Sequence, residues 1–529
     1  MTTKKAPGND RPARNPPPKK RAATIALAAL AGAVAGGVFL GVAELAALLV
    51  AREASPIVAV GSFVVDVVPR WAKELAIQLF GSDDKLFLVA SVGAAALVAA
   101  ALAGMLELRW RWTGVALFGV AGVAAVAAAV TRADASPAAF LPPAAGAAAG
   151  AAVLTVAVSL LRRWRVAGAE PSSGVDRRRF LVLTSAAALG AVVAGVGARL
   201  GSAATSSVAA VRSALRLPAP ASRLTVPAGA ELGIPGLSPL FTPNRDFYRV
   251  DTALAVPSID PAAWRLTVDG MVEKRVELGF DDLLRLGLDE YAVTLTCVSN
   301  EVGGNLVGTA RWLGVPVRDV LAMARPRPGA DMVLSRSIDG FTASTPLEAL
   351  TSADRDAILA VGMNGEPLPL EHGFPVRMVV PGLYGYVSAT KWLTALKVTT
   401  FAADQAYWTP RGYSAKAPIK LSSRIDTPRV DRPLAAGPTK IAGVAWAQTV
   451  GIGRVEVQID GGDWQEAELS APVNRDTWVQ WSLDWDATAG SHTLAVRATD
   501  RAGRLQEQKR TPIAPNGSTG WQQTFVRVS

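Results

Sequence analysis

Over the first two hundred residues, apolar positions come in long blocks instead of alternating with polar ones. Ala, Val, Leu and Gly dominate stretches at about 22–50, 86–106, 113–130, 138–161 and 180–200. Each is near the roughly 20 residues a helix needs to cross a bilayer, so a bundle of about five transmembrane helices is predicted over 22–205. One further apolar run, Ile57–Val68, is too short to span and is followed by Pro69, Arg70, Lys73 and Glu74. Ser55–Gly81 is therefore expected to lie in the interface or to re-enter. Residues 1–21 are polar, Pro-rich and basic, which predicts a disordered cytoplasmic tail.

Past residue 205 the pattern is that of a folded, water-exposed chain. Residues 206–240 are rich in Pro, Gly and Ser and are expected to be a linker. Over 241–412 short strands alternate with helical segments, an α+β pattern: Trp264–Val268 and Ala292–Cys297 as strands, Phe280–Leu286 and Val317–Ala324 as helices. From 413 to 529 helices give way to strands at Thr439–Ala447, Arg454–Ile459, Trp478–Leu483, Thr493–Thr499 and Gln522–Val528. That spacing predicts an immunoglobulin-like β-sandwich, with Gly461-Gly462 at a hairpin turn. Trp446, Trp464, Trp478, Trp481 and Trp485 fit its core or rim, and His492 fits a structural role.

Charge then orients the membrane half. The chain carries 54 Lys and Arg against 44 Asp and Glu, a net charge of +10. The bases lie beside the apolar blocks, and no nucleic-acid module is visible, so a membrane surface explains the excess and nucleic acid does not. With the tail inside, the inner loops hold Arg109 and Arg111, then Arg162, Arg163, Arg165, Arg177, Arg178 and Arg179. Five spans then place everything after 205 outside the cytoplasmic membrane. Asp176-Arg177-Arg178-Arg179-Phe180-Leu181 resembles a twin-arginine export signal, although three arginines could equally pin a helix end.

With one cysteine, Cys297, and two histidines, His372 and His492, the redox inventory is short. No internal disulfide, no Fe–S cluster built on this chain alone and no CxxCH haem site can be made. The membrane half contains no histidine, so bis-histidine haem is excluded there and electrons must pass to another protein.

Cys297 ends the β-branched run Ala292–Thr296 and precedes Ser299-Asn300-Glu301 and Gly303-Gly304. A lone cysteine is more often a small buried hydrophobe, but a thiolate at a strand end opening into a Gly-rich loop suits a soft metal. A second stretch, Glu371-His372-Gly373-Phe374-Pro375-Val376-Arg377 through Pro381-Gly382, followed by Tyr384–Trp392, offers Arg377, Lys391 and turn N–H groups as an anion cradle. Together with Ala310-Arg311-Trp312, these stretches resemble the molybdopterin domain of the sulfite oxidase family, of a membrane-anchored bacterial type. The resemblance covers about 241–529, the trailing sandwich being similar to the family's dimerisation domain. It implies that Cys297 is the catalytic molybdenum ligand beside a pterin dithiolene. It further implies that Phe247, Tyr248, Arg249, Ser337, Asp339, His372, Arg377, Ser388, Ala389, Thr390 and Lys391 contact the molybdenum–molybdopterin cofactor.

Three departures from that family bear on substrate. Asp251-Thr252-Ala253 stands where an Arg-Asn-His stretch is expected, Glu301-Val302 where an arginine should follow the metal cysteine, and Thr409-Pro410 where a tyrosine should follow Trp408, with Tyr413 nearby. Loss of cations around a small dianion disfavours sulfite and favours a neutral oxide such as a sulfoxide or N-oxide. The expected protein is a membrane-bound oxidoreductase performing two-electron oxo transfer on a small molecule. It exchanges electrons with a cytochrome or quinol-linked protein and forms a homodimer. The alternative is an inactive or adhesive scaffold whose molybdopterin-type domain is a relic and whose sandwich binds a partner.

Overall fold

The computed structural model describes residues 18–50, 55–68, 84–131, 136–167, 172–204, 207–254, 256–432 and 434–529. The chain divides into two compact units, 1–205 and 206–529. Most of the predicted basic tail, and residues 69–81 of the predicted interfacial segment, lie outside the described residues.

Among the described residues of the first unit, five helices are long and apolar enough to cross a membrane: Ala22–Val50, Phe87–Arg109, Thr113–Val130, Leu141–Arg165 and Arg177–Gly197. Small residues pack their seams, with Ala28, Ala31, Ala35, Ala103 and Ala157 all buried. The second and third spans meet in a tight turn closed by Glu107. Its carboxylate accepts from the backbone N–H groups of Trp112 and Gly114, each at 3.0 Å, satisfying donors a helix start leaves open. Trp110 and Trp112 stay exposed on either side of Arg111. The short run is a helix, Pro56–Val67, of 12 residues, too short to span. Ser55 caps it and donates to Glu44 of the first span at 2.6 Å.

The second unit begins with a feature that composition concealed. Within the predicted linker, residues 207–240 are a packed strap. Helix Ser207–Ala214 opens it, and Arg212 donates to the carbonyls of Leu368 and Pro367 at 2.7 and 2.6 Å. The strap then runs along the edge of a sheet, where Ala221 N–H donates to Leu288 O at 2.7 Å. It ends with Ala230 and Leu240 buried against Trp446 and Trp478. The Pro and Gly residues bend the chain; the apolar residues between them are what it buries.

The α+β part of the unit holds two sheets. One runs Val276–Gly279, Arg265–Gly270, Leu393–Thr399, Met332–Ser337, Thr342–Pro346; the other runs Asp289–Thr296, Val307–Pro316, Ile358–Met363, Glu366–Pro367, with Arg377–Val379 also paired to Ile358–Met363. Their facing apolar positions, among them Leu266, Val268, Leu359, Val361, Met378 and Leu396, form one core with helices Phe280–Arg285 and Val317–Ala324. Burying each such side chain contributes about 1.5–3 kcal/mol.

The C-terminal strands form one antiparallel path: Ser422–Thr427, Gly437–Trp446, Val479–Ala487, Trp464–Leu469, Ile452–Ile459, Gly490–Asp500, Gln522–Val528. The path curls until its first strand packs on its last two, giving a nearly closed barrel or sandwich. Trp478 and Trp481 are fully buried in it. The predicted hairpin turn is shifted by one residue. Asp460 (φ 55°) and Gly461 (φ 72°) take the two positive-φ positions that a tight hairpin between right-twisted strands needs. His492 holds this turn, pairing with Asp460 at 2.6 Å.

The strand that leads to Cys297 has the barrel on its free edge. Thr294 N–H donates to Asp476 O at 3.0 Å, Trp478 N–H to Thr294 Oγ1 at 2.8 Å, and Asn474 to Ala292 O at 2.9 Å. The loop after Cys297 is held the same way: Ser518 donates to Asn300 O at 2.8 Å, and Arg424 to Gly304 O at 2.8 Å. Arg424 is buried, pairs with Asp426 at 2.6 Å and donates to Ser238 of the strap at 2.8 Å. Arg424→Met therefore leaves the Asp426 carboxylate, its side chain only 7% exposed, with the Ser238 N–H but without its cation. Urea titration should show a loss of about 3–5 kcal/mol; a loss below about 1 kcal/mol would mean that this hub holds nothing together.

Candidate active site: the cleft at Cys297

The two sheets of the α+β part converge at one end on a cleft that, with the open solvent at its mouth, takes in about 900 Å³. Cys297, Ser337, Arg377 and Lys391 all line it. One sheet contributes Cys297, the residue after strand Asp289–Thr296, and Arg377 at the start of its own strand. The other contributes Ser337 at the end of Met332–Ser337, and Lys391 just before Leu393–Thr399; Leu393 pairs with Ser337, which sets these two side by side.

A turn fixes the cysteine, with Asn300 N–H donating to Cys297 O at 3.0 Å and the Asn300 side chain accepting from Leu306 N–H at 2.9 Å. The Sγ atom accepts from Ser299 N–H at 3.4 Å. Burial pushes the thiol pKa up, against the pull of the Ser299 contacts and Lys391. Unaided, this sulfur stays protonated; a bound metal ion reverses that preference, because its charge favours the thiolate.

Arg377 and Lys391 approach each other across Gly373. That glycine has φ 110°, and a Cβ there would lie 3.0 Å from Arg377 Cβ and 3.1 Å from Lys391 Cβ. A side chain would push the two cations apart. Arg377 is buried, donates to His372 O at 3.1 Å and lies 5.1 Å from the Trp312 ring centroid. Burial lowers its pKa to about 10. Lys391 donates to Asp251 Oδ2 at 2.9 Å and to Glu371 O at 3.0 Å. Burial lowers its pKa to about 8, with Asp251 opposing the fall. Asp251 also accepts from Arg249 Nε at 3.1 Å. His372 shares its Nε2 proton with Asn244 O at 3.1 Å, and its pKa is driven down to about 3 by burial first and then by Arg377 and Lys391. It is a neutral ring.

These groups fit an anionic, metal-carrying cofactor on three counts. Ser337 Oγ is a buried polar atom with no partner in the protein, which natural structures rarely leave unmatched. Two buried cations stand in the same wall or beside it. Among the described residues no group of three His, Cys, Asp or Glu could hold a metal by itself, so a metal at the lone thiol needs further ligands from a bound group.

Of the residues expected to contact cofactor, Phe247, Tyr248, Cys297, Ser337, Asp339, Arg377, Ala389 and Lys391 line the cleft. Arg249 stands beside it through Asp251. His372 lies behind Phe247, ring centroids 5.6 Å apart. Ser388 and Thr390 turn inward: Ser388 donates to the carbonyls of Leu383 and Tyr384, and Thr390 bonds Ser335 at 2.7 Å. Their side chains brace the turn instead of facing the cleft. The sequence reading omitted an aromatic wall of Phe341, Tyr386, Trp392, Trp408 and Tyr413. Tyr413 packs on Trp408 at 5.2 Å and Tyr386 at 5.5 Å, so it reaches the cleft from a few residues beyond the position where a tyrosine was expected.

Residues 253–408 match the family model of the oxidoreductase molybdopterin binding domain, and 415–514 that of the Mo-co oxidoreductase dimerisation domain. Mitochondrial sulfite oxidase of Mus musculus is 32% identical over 338 residues, which cover 54% of this chain and 61% of that one. Inducible nitrate reductase [NADH] 1 of Glycine max is 28% identical over 321 residues, 48% of this chain and 36% of that one. Among solved structures, the sulfane dehydrogenase SoxCD from Paracoccus pantotrophus aligns with a TM-score of 0.49 at 26% identity, covering 54% of this chain and 81% of that one. The chain thus spans about three fifths of the length of the sulfite oxidase it matches. Residues 253–408 and 415–514 thus match the two domain types of a molybdopterin oxidoreductase, and over this part the chain is similar to the sulfite oxidase family.

His372 supplies a test of the site's electrostatics. Its folded pKa lies below its unfolded value of 6.5, so its contribution to stability is complete above pH 6.5 and is lost as pH falls toward about 3. The expected slope from this one group approaches about 1.4 kcal/mol per pH unit in that window. Denaturation at pH 7, 6, 5 and 4 should show a flatter acid limb for His372→Gln than for the wild type; parallel limbs would mean the ring is not held neutral.

Proposed function

We propose that this protein is a membrane-bound molybdopterin oxidoreductase whose catalytic unit lies outside the cytoplasmic membrane. There it performs two-electron oxo transfer on a small molecule of the sulfoxide or N-oxide class. The observation that carries this reading is the buried Cys297 thiol on the wall of a cleft that also holds Arg377, Lys391 and the unpartnered Ser337 hydroxyl.

When bound, the molybdenum–pterin group supplies oxygen-atom and two-electron exchange. Everything else is the work of this chain. Cys297 offers one thiolate, steadied by the Ser299 N–H. Arg377, Lys391 and Arg249 would hold the cofactor's anionic end, and Phe247, Tyr248, Ser337, Asp339, Ala389 and the 388–390 turn would complete its site. His372, neutral, orients Phe247 and the Asn244 carbonyl. The aromatic wall excludes water from the reacting space. In the net reaction a sulfoxide takes up two protons and two electrons and releases its oxygen as water. The electrons come from a separate carrier, a cytochrome or quinol-linked protein, since the chain's two histidines and single cysteine build no haem or Fe–S relay.

The five apolar helices and the arginines at 109, 111, 162, 163 and 165 support a multi-pass anchor with the tail and even-numbered turns inside. Exposed Trp110 and Trp112 suit the headgroup level at one such turn. Arg177-Arg178 then serves as an internal twin-arginine signal, since a domain folded around its cofactor cannot be threaded unfolded. The barrel, of immunoglobulin-like design, pairs two copies of the chain.

Protein purified from a host that makes the cofactor should carry about one molybdenum and one pterin per chain by elemental and fluorescence analysis. Cys297→Ala should lose turnover; metal-free wild type from such a host refutes the reading. In spheroplasts, protease should reach residues beyond 205 in the wild type but not when Arg177 and Arg178 are both lysine; equal exposure removes the export signal.

A further inference from the structure

The cleft holds its cations in a way that withholds them from an incoming anion. Asp251, only 6% exposed, lies between Lys391 Nζ at 2.9 Å and Arg249 Nε at 3.1 Å. Arg377 is buried beneath Trp312 and donates to a backbone carbonyl. A second carboxylate, Asp339, lines the same space and accepts from Thr252 at 3.4 Å, so the 251–252 and 337–341 segments meet with acid on both sides. What remains around them is aromatic: Phe341, Tyr386, Trp408 and Tyr413.

We infer that Asp251 is a specificity-determining residue, which offsets part of the Lys391 and Arg249 charge and confines the cleft to uncharged organic oxides while turning inorganic oxyanions away. The inference rests on the molybdenum reading above and deepens it by naming the residue that sets its substrate class. The physical case has two parts. A dianion entering a partly buried space loses hydration and must be repaid by uncompensated cations; here Asp251 takes up part of the Lys391 and Arg249 charge, and the cofactor's anionic end would take up the rest together with Arg377. An uncharged sulfoxide or N-oxide needs no such repayment and places its alkyl groups against the aromatic wall. Removing one negative charge a few ångströms from a bound dianion is expected to tighten its binding at least tenfold, by about one to two powers of ten.

The experiment is calorimetric titration of the full-length, molybdenum-loaded protein with two probes, sulfate and dimethyl sulfoxide, together with a measurement of metal content. Wild type is expected to bind dimethyl sulfoxide and to bind sulfate at least tenfold more weakly than Asp251→Asn does. Asp251→Glu, which keeps the charge, should behave as wild type, an outcome that a packing role alone would not give. Asp251→Asn with unchanged sulfate affinity overturns the inference while leaving the molybdenum reading intact. Should Asp251→Asn not load metal, Asp251→Ser is titrated in its place and wild type decides with it: loaded wild type that binds sulfate more tightly than dimethyl sulfoxide overturns the inference. Wild type without molybdenum fails the earlier reading instead, and the metal analysis separates the two.

Discussion

The site depends on a strand whose two edges are both satisfied. Asp289–Thr296 pairs along one side with Val307–Pro316 and meets the barrel loop at 474–478 on the other. An edge strand carries a row of unpaired backbone groups and is free to shift or fray. Here the barrel takes up those groups, so the residue that follows the strand, Cys297, inherits a fixed position. The next turn is fixed too, through Ser518 and Arg424. The barrel thus acts on the chemistry without touching the cleft at Cys297.

The second constraint is electrostatic. Burying Arg377 and Lys391 removes water from two cations, and the fall in both pKa values expresses that cost. Asp251 offsets part of it for Lys391, but Arg377 is left with carbonyl oxygens and a ring face. A protein so arranged would gain stability from an anionic cofactor end held beside these groups, in proportion to how fully it is bound. The raised thiol pKa has the same character, since a metal bound at the sulfur would relieve it too. The wall around Cys297 is costly when bare and favourable when filled.

Much of this was readable in the sequence because it is written locally. Blocks of apolar residues give the spans, and Cys297, Arg377 and Lys391 sit in short stretches whose order carries the family resemblance. Other parts are decided by partners far along the chain. Asp251 meets Lys391 across 140 residues, and no local pattern says whether a loop aspartate points inward. Ser388 and Thr390 look like ligands for an anion, yet their hydroxyls are spent on Leu383, Tyr384 and Ser335, which only the folded sheet brings near. Phe341 and Tyr413 join one wall from different loops. The barrel hairpin turned on Asp460-Gly461 because twist demands two positive φ values there, a preference that Gly461-Gly462 only half announced.

The strap at 207–240 was hard to read for a different reason: Pro and Gly mark bends, and bends occur in packed chain as well as in tethers. Its helix grips the 366–368 loop, its middle lies along Leu288 and Asp289, and its end is sealed under Trp446 and Trp478. Anyone wishing to sever the enzyme from its helices therefore has a narrow place to cut. A version begun near 207 keeps this binding thread, whereas one begun at 241 bares the tryptophans and strips the strap from the edge that leads to the cysteine.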